Sequence, residues 1–147
     1  MALWRTYYHI IWATKERQSL IVPQLEKSVY QYMVGKSDSM RCIVHAIGGT
    51  ENHIHLIVSI PPTLSIADFV QKIKGSSSYY INQELTPHQN FKWQRGYGIF
   101  SLGGKQLEKA VNYVLNQKQH HSDGTILPAL EEDTNEDDPP PKYQVNH

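Results

Sequence analysis

The feature that most constrains the fold is the order in which strand-like and helix-like segments alternate along the chain. β-Branched and aromatic runs predict four strands, at residues 5–13, 40–48, 53–60 and 99–102. Apolar residues at helical spacing predict three helices: one from Pro23 to a turn at 35–39, one after Ser65 as N-cap, and one from Lys105 to about His120. This order predicts an α+β fold, a ferredoxin-like split βαββαβ sandwich whose antiparallel sheet has helices on one face, plus a C-terminal helix.

The charge distribution separates a basic body from an acidic end. Lys and Arg together number 14, as do Asp and Glu, and this neutrality taken alone argues against a nucleic-acid-binding protein. Six of the acids, however, lie within residues 131–138, so residues 1–130 hold 13 basic and 8 acidic side chains. We therefore predict one folded domain at residues 1–122 and an acidic, proline-rich, disordered tail at residues 123–147.

Two further properties concern the cellular compartment. No stretch reaches the roughly 20 apolar residues that a membrane helix needs, and residues 1–6 lack the apolar run of a signal peptide. Cys42 is the only cysteine, which excludes an internal disulfide and a cysteine-based metal cluster. These features predict a cytoplasmic protein with no membrane association.

His53 and His55 form the first candidate site. Because side chains alternate between the faces of a strand, both imidazoles are expected on one face, with Ile54 on the other. Imidazole binds divalent metals well, so the pair is a candidate metal site. The alternative, favoured for an isolated His-x-His pattern, is that both side chains lie on the solvated face of a hairpin strand.

Tyr113 and Gln117 form the second candidate site, on the last predicted helix. The apolar stripe of this helix is formed by Leu107, Ala110, Val111 and Val114. Tyr113 and Gln117 are four residues apart and are expected beside this stripe, off the core face, with His120 on the same side. A tyrosine next to a carbonyl oxygen could be a nucleophile beside a metal ligand. For this pair taken alone, the favoured alternative is an ordinary amphipathic helix with a boundary tyrosine.

Interleaved basic and aromatic residues form a third and weaker signal. Cations suit phosphates and aromatic rings suit unstacked bases, so such a set fits single-stranded nucleic acid, although most charged helix faces are merely solvated. The residues are Lys15, Arg17, Lys72, Lys74, Lys92, Trp93, Arg95 and Tyr97.

Taken together, these segments resemble the single-tyrosine HUH transposases of the small IS200-like insertion sequences, which move DNA as a single strand. The matching segments run in the family's order from Tyr8 to His121, about three quarters of the chain. They are YHIIWATK at 8–15, GGTENHIHLIV at 48–58, IPP at 60–62, IKGSS at 73–77, WQRGYG at 93–98 and YVLNQKQHH at 113–121.

The resemblance implies a mechanism. It implies that Tyr113 is the catalytic nucleophile and attacks a scissile phosphate, giving a 5′-phosphotyrosine and a free 3′-OH. A second 3′-OH can then rejoin the strands without ATP. The resemblance further implies that His53, His55 and Gln117 bind Mg²⁺ or Mn²⁺. A homodimer that recognises hairpins in single-stranded DNA is also implied.

The remaining site residues are expected to support this chemistry. Lys15, Arg17, Lys72, Lys74 and Arg95 are the expected DNA-binding residues. Asn52 and His120 are the expected residues that orient the metal site. Family members usually have Asp where this chain has Asn52, and the loss of that carboxylate is expected to weaken metal binding.

Three hypotheses follow for the function. The leading one is a DNA transposase that nicks single-stranded DNA and transfers the strands. The alternative is a catalytically inactive or domesticated hairpin-binding protein of the same fold. A small metal hydrolase that uses His53 and His55 is disfavoured by the tyrosine and by the DNA-like loops.

Overall fold

A single antiparallel sheet organises the molecule, of which a computed structural model describes residues 1–119 and 137–142. Its strands are β1 (Tyr7–Ala13), β2 (Ile43–Thr50), β3 (His53–Ser59) and β4 (Gly98–Leu102). They lie in the order β2-β3-β1-β4, and every neighbouring pair is antiparallel. This order confirms the ferredoxin-like split βαββαβ arrangement.

Three α-helices cover the sheet: α1 (Pro23–Ser39), α2 (Ile66–Tyr80) and α3 (Leu107–Leu115). Ser65 caps α2 as predicted, because its hydroxyl accepts a hydrogen bond from the backbone N–H of Asp68 at 3.1 Å. Shorter helical turns lie at Lys15–Arg17, Ile81–Leu85 and Gly104–Gln106. Among the described residues, no helix is both long and apolar enough to cross a membrane.

The prediction that α1 ends in a turn at 35–39 is wrong, since the helix continues to Ser39. The buried Ser37 is tolerated within the helix because its hydroxyl donates to the carbonyl of Met33 at 2.8 Å. Beyond Ser39 and the C-cap Met40, Arg41 has a φ of 63° and prevents the helix from continuing. The N–H groups of Arg41 and Cys42 then bond to the carbonyls of Asp38 and Ser37, in the pattern that commonly closes helices at a glycine.

The two faces of the sheet carry different helices. The even-numbered residues of β3 (Ile54, Leu56 and Val58) belong to the larger core, which also contains buried residues of α1 and α2. On the opposite face, Ile57 packs with Ala110 and Val114 of α3. Because both faces are covered, every residue of β3 is buried. The expected arrangement of helices on one face therefore describes α1 and α2, while the additional helix covers the other face.

The hairpin between β2 and β3 is tighter than predicted. The strands remain paired up to Thr50 and His53, so only Glu51 and Asn52 form the turn, rather than all of residues 49–52. The first histidine therefore lies at the very end of the ladder, next to the turn.

Candidate active site

The two histidines of β3 lie side by side beneath α3. Their ring centroids are 5.0 Å apart, and both rings lie on the sheet face that α3 covers. His53 is 5% exposed and His55 is fully buried. They share a face, as strand alternation predicts, but the alternative of a solvated strand face is wrong because α3 covers it.

Helix α3 and the segment that follows it bring Tyr113 and Gln117 onto these histidines. The ring centroid of Tyr113 lies 6.2 Å from that of His55, and Oε1 of Gln117 lies 3.3 Å from Nε2 of His53. The apolar stripe of α3 docks on the sheet where β2 carries Gly48. A Cβ atom at Gly48 would lie 2.1 Å from the backbone oxygen of Val114, so only glycine permits this approach.

Two expectations for this helix are wrong. A continuous helix from Lys105 to about His120 was predicted, whereas α3 ends at Leu115 and Asn116 is a turn. Gln117 begins a new helical segment. Tyr113 is also not a boundary residue, because it is only 4% exposed and its phenol lies between α3 and the sheet. The helical angle from the stripe placed it off the core, but the two histidines extend the buried layer beneath it.

The hairpin turn orients the ring of His53. Its Nδ1 lies 2.7 Å from Oδ1 of Asn52 and 2.9 Å from the hydroxyl of Thr50. The Thr50 hydroxyl in turn lies 3.1 Å from the same Asn52 oxygen. Because an amide oxygen accepts only, Nδ1 of His53 is the donor to Asn52. Asn52 thus lies where it was expected; Thr50 was not anticipated from the sequence.

His9 of β1 contacts the other histidine and was also not singled out from the sequence. Its Nε2 lies 2.8 Å from Nδ1 of His55, and both side chains are fully buried. Alternation alone places His9 on one face of β1, but nothing local in the sequence indicates which strand lies beside it. The pairing of β1 with β3 supplies that information.

A family model described as "Transposase IS200 like" matches residues 2–117, a span that includes all of these side chains. This chain belongs to the IS200-like transposase family. The resemblance inferred from the ordered motifs is thereby confirmed.

Individual relatives agree with this IS200-like assignment. The transposase for insertion sequence element IS200 from Salmonella typhimurium is 25% identical over 129 residues, which are 84% of each chain. A crystal structure from Deinococcus radiodurans R1, described as a candidate transposase, has a TM-score of 0.64 at 22% identity and covers 79% of this chain and 93% of its own. A REP-associated tyrosine transposase bound to a REP hairpin has a TM-score of 0.61 at 13% identity, with coverages of 86% and 76%. These two structures show a shared fold.

The donor set of this IS200-like transposase fits a divalent metal ion. The described residues contain no group of three or more His, Cys, Asp or Glu side chains that could hold a metal. The third protein ligand beside His53 and His55 would therefore be the amide oxygen of Gln117. This oxygen lies 3.3 Å from Nε2 of His53, so the two atoms are close enough to bind one cation together. Imidazole nitrogen binds divalent transition metals, and the carbonyl oxygen of the amide, together with water, suits Mn²⁺ and Mg²⁺.

Two basic segments meet beside the hairpin turn. The backbone N–H of Lys15 donates to the carbonyl of Lys92 at 3.0 Å, which joins the turn at Lys15–Arg17 to the loop that carries Arg95. The N–H of Thr14 donates to the carbonyl of Asn52 at 2.9 Å, so these segments begin next to the histidines. Lys15, Arg17 and Arg95 are exposed, and their binding of DNA remains a prediction.

Other members of the basic and aromatic set have structural contacts. The ammonium group of Lys74 donates to the carbonyls of Gln94 and Gly96 at 2.7 and 2.8 Å, and thereby holds this loop against α2. The indole of Trp93 donates to the hydroxyl of Ser77 at 2.9 Å. Lys72 lies on the exposed side of α2. The sequence did not distinguish the residues that build the loop from those that remain available on its surface.

A cleft of about 410 Å³ opens beside Gln117, between the first half of α1 and residues 114–119. Burial, and to a lesser extent the Glu26 carboxylate, raises the pKa of the Tyr30 phenol that lines this cleft above its ordinary range. Glu26 forms an ion pair with Lys118, which fastens the segment after α3 to α1. Farther from the site, burial raises the pKa of the Cys42 thiol to about 11 and lowers that of His45.

Two predictions lie outside the described residues. His120, which was expected to support the metal site, is not among them. The predicted tail at 123–147 is described only at residues 137–142, which are exposed, so its boundary with the folded domain stays a prediction.

Proposed function

We propose that this chain cuts and rejoins single-stranded DNA through a covalent bond to Tyr113. One observation carries the proposal. The phenol of Tyr113 lies against His55, while Gln117 reaches His53, so a nucleophile and three potential metal donors share one buried layer between β3 and α3. This arrangement suits transfer of a phosphodiester, and the IS200-like family supports DNA as the substrate.

The chemistry follows from what these residues can do. The phenolate oxygen of Tyr113 attacks phosphorus, a new P–O bond forms, and the bond to the 3′ oxygen breaks. The phenolic proton leaves to a base, and the departing 3′ oxygen gains a proton, so that a 5′-phosphotyrosine and a 3′-OH result. Mg²⁺ or Mn²⁺ held by His53, His55 and Gln117 would neutralise charge that develops on the phosphate.

Strand transfer is the reverse of the cleavage step. A phosphotyrosine retains the phosphoester bond, so attack by another 3′-OH regenerates a phosphodiester without ATP. The reversed reaction is therefore the proposed strand-transfer step.

The proposed substrate is single-stranded DNA with hairpins, bound by a homodimer. The fold is shared with a REP-associated tyrosine transposase that is bound to a REP hairpin. The exposed Lys15, Arg17 and Arg95 lie beside the site and suit the phosphates of a strand that reaches it.

Covalent capture tests the proposal. Labelled single-stranded DNA from the flanks of the gene is incubated with the protein and Mn²⁺ or Mg²⁺, and the products are separated on a denaturing gel. We expect a metal-dependent adduct that is lost in Tyr113→Phe by at least ~100-fold, since phenylalanine has no nucleophile. The matched control is Tyr79→Phe, which removes the hydroxyl of an exposed tyrosine on α2 and should keep the adduct.

An adduct that persists in Tyr113→Phe would contradict the assignment of the nucleophile. The absence of any adduct, combined with a hairpin-specific shift on a native gel, would support the alternative of an inactive hairpin-binding protein. Asn52, in place of the usual Asp, is the observation that favours that alternative.

A further inference from the structure

We propose that His9 is a positioning residue that holds His55 in the tautomer required to bind a metal through Nε2. The inference rests on the proposed role of His55 as a ligand. Nε2 of His9 lies 2.8 Å from Nδ1 of His55, and the two ring centroids are 5.0 Å apart. Both side chains are fully buried, so water does not compete for this contact.

The sheet brings the two rings together. β1 and β3 are antiparallel neighbours in which Ile11 pairs with His55 and His9 pairs with Ile57. His9 is therefore the diagonal neighbour of His55 on the face that α3 covers, within reach of a long side chain. The contact is formed by the two central strands, which are the most constrained part of the sheet.

The position of the single proton on each neutral imidazole determines which of the two histidines donates the hydrogen bond. A neutral imidazole carries one proton, and a ring that binds a metal through Nε2 must carry that proton on Nδ1. Nδ1 of His55 then donates to Nε2 of His9, and His9 carries its own proton on Nδ1. His9 thus accepts this hydrogen bond with the lone pair on its Nε2.

The same device recurs at the other ligand. Nδ1 of His53 donates to Oδ1 of Asn52 at 2.7 Å, so in both histidines a neighbouring side chain contacts Nδ1, and Nε2 is the nitrogen that would bind the proposed metal. Metal-binding histidines are commonly held in this way, and the loss of such a partner weakens metal binding. Asn52 of the hairpin turn contacts the ring of His53, and His9 of β1 contacts the ring of His55.

An aliphatic residue at position 9 would have suited a strand between two cores. Its neighbours on the same face of the sheet include Ile11 and Ile57. A buried imidazole needs a hydrogen-bond partner. The hydrogen bond with His55 therefore explains why position 9 holds a histidine.

The experiment compares His9→Leu, which removes the acceptor, with His9→Gln, whose amide oxygen reaches a similar position. The tautomer of His55 is measured in the metal-free protein from its imidazole ¹⁵N shifts, and the affinity for Mn²⁺ is measured by electron paramagnetic resonance. We expect wild type and His9→Gln to be protonated on Nδ1. We expect His9→Leu to show mixed tautomers and roughly 10- to 100-fold weaker Mn²⁺ binding.

The controls separate this role from general packing. His45→Leu removes another histidine from the same sheet, one that contacts Ser59 instead of the site, and should change neither measurement. If His9→Leu does not fold, His9→Asn replaces it, since asparagine is too short to reach Nδ1 and should weaken Mn²⁺ binding relative to His9→Gln.

Several outcomes are decisive. Protonation of His55 on Nε2 in wild type, or equal tautomers and affinities in all variants, would overturn the proposal. If wild type binds no Mn²⁺ while His9→Leu still alters the tautomer, the metal dependence proposed above fails and the action of His9 on His55 stands.

Discussion

At the scale of the residue, orientation of the two histidines of β3 depends on neutral groups. Oδ1 of Asn52 accepts from His53, and Nε2 of His9 faces His55. A neutral acceptor can fix the orientation of a ring, but it polarises the imidazole less than a carboxylate does. In the proposed metal site, these histidines would therefore be weaker ligands than histidines paired with carboxylates.

This difference can be tested by Asn52→Asp. The new carboxylate would accept the same hydrogen bond from Nδ1 of His53 and make that ring a better donor to the metal. We expect Mn²⁺ affinity to rise by about 10-fold in a direct titration. Asn90→Asp adds an equal charge at an exposed loop position and is expected to leave the affinity unchanged. A weaker affinity in Asn52→Asp would show that the amide is preferred.

At the scale of the element, the docking of α3 on β2 sets the site. The helix approaches so closely at Gly48 that its backbone at Val114 occupies the space of a side chain. Tyr113, the proposed nucleophile one residue earlier on α3, is thereby held at a fixed height above the histidines.

A methyl group at position 48 should push α3 away from the sheet. We expect Gly48→Ala to lower the free energy of unfolding by about 2 kcal/mol, in the range of overpacked cores, and to reduce the covalent adduct as well. Chemical denaturation measures the first effect and the capture assay the second. Gly35→Ala is the matched control: Gly35 lies inside α1 with open space around it, and alanine there should stabilise by about 0.5–1 kcal/mol. Equal stability of Gly48→Ala and wild type would contradict this account of the docking.

The individual strands and helices were easier to predict from the sequence than the tertiary contacts between them. Alternation along β3 was enough to place His53 and His55 together, and the serine cap was enough to place the start of α2. The burial of Tyr113 was not predictable from helical angles, because it depends on what the opposite face of the sheet presents. The contact of His9 with His55 depends on the pairing of β1 with β3, which joins residues 46 positions apart. Arg41, just beyond α1, adopts a conformation usually taken by glycine. Because the residue is not glycine, the sequence did not indicate the end of the helix at this point.

At the scale of the whole molecule, the two faces of the sheet have different roles. Two helices on one face build the larger core, and α3 on the other face covers the candidate site. In this arrangement, Tyr113 of α3 faces the histidines of its own chain. The implied homodimer would then hold two complete sites.

A mixing experiment examines this point. His53→Ala and Tyr113→Phe are each expected to be inactive. Because Tyr113 lies over the histidines of its own chain, mixing the two variants should yield no more adduct than the two separate reactions. Adduct formation is measured after the subunits have been exchanged under mild denaturant. The control mixes wild type with the His53→Ala, Tyr113→Phe double variant. A clear gain of adduct in the first mixture would mean that α3 of one subunit serves the other.

The turn at Asn116 affects how Tyr113 and Gln117 are placed relative to each other. Within an unbroken helix, each inserted or deleted residue rotates everything after it by about 100°, which would separate a nucleophile from a ligand on the same helix. Here the helix ends between Tyr113 and Gln117, and an ion pair from Lys118 to Glu26 fastens the segment that follows. The position of Gln117 relative to Tyr113 is thus set by the turn at Asn116 and by the burial of Gln117, and not by helical geometry alone.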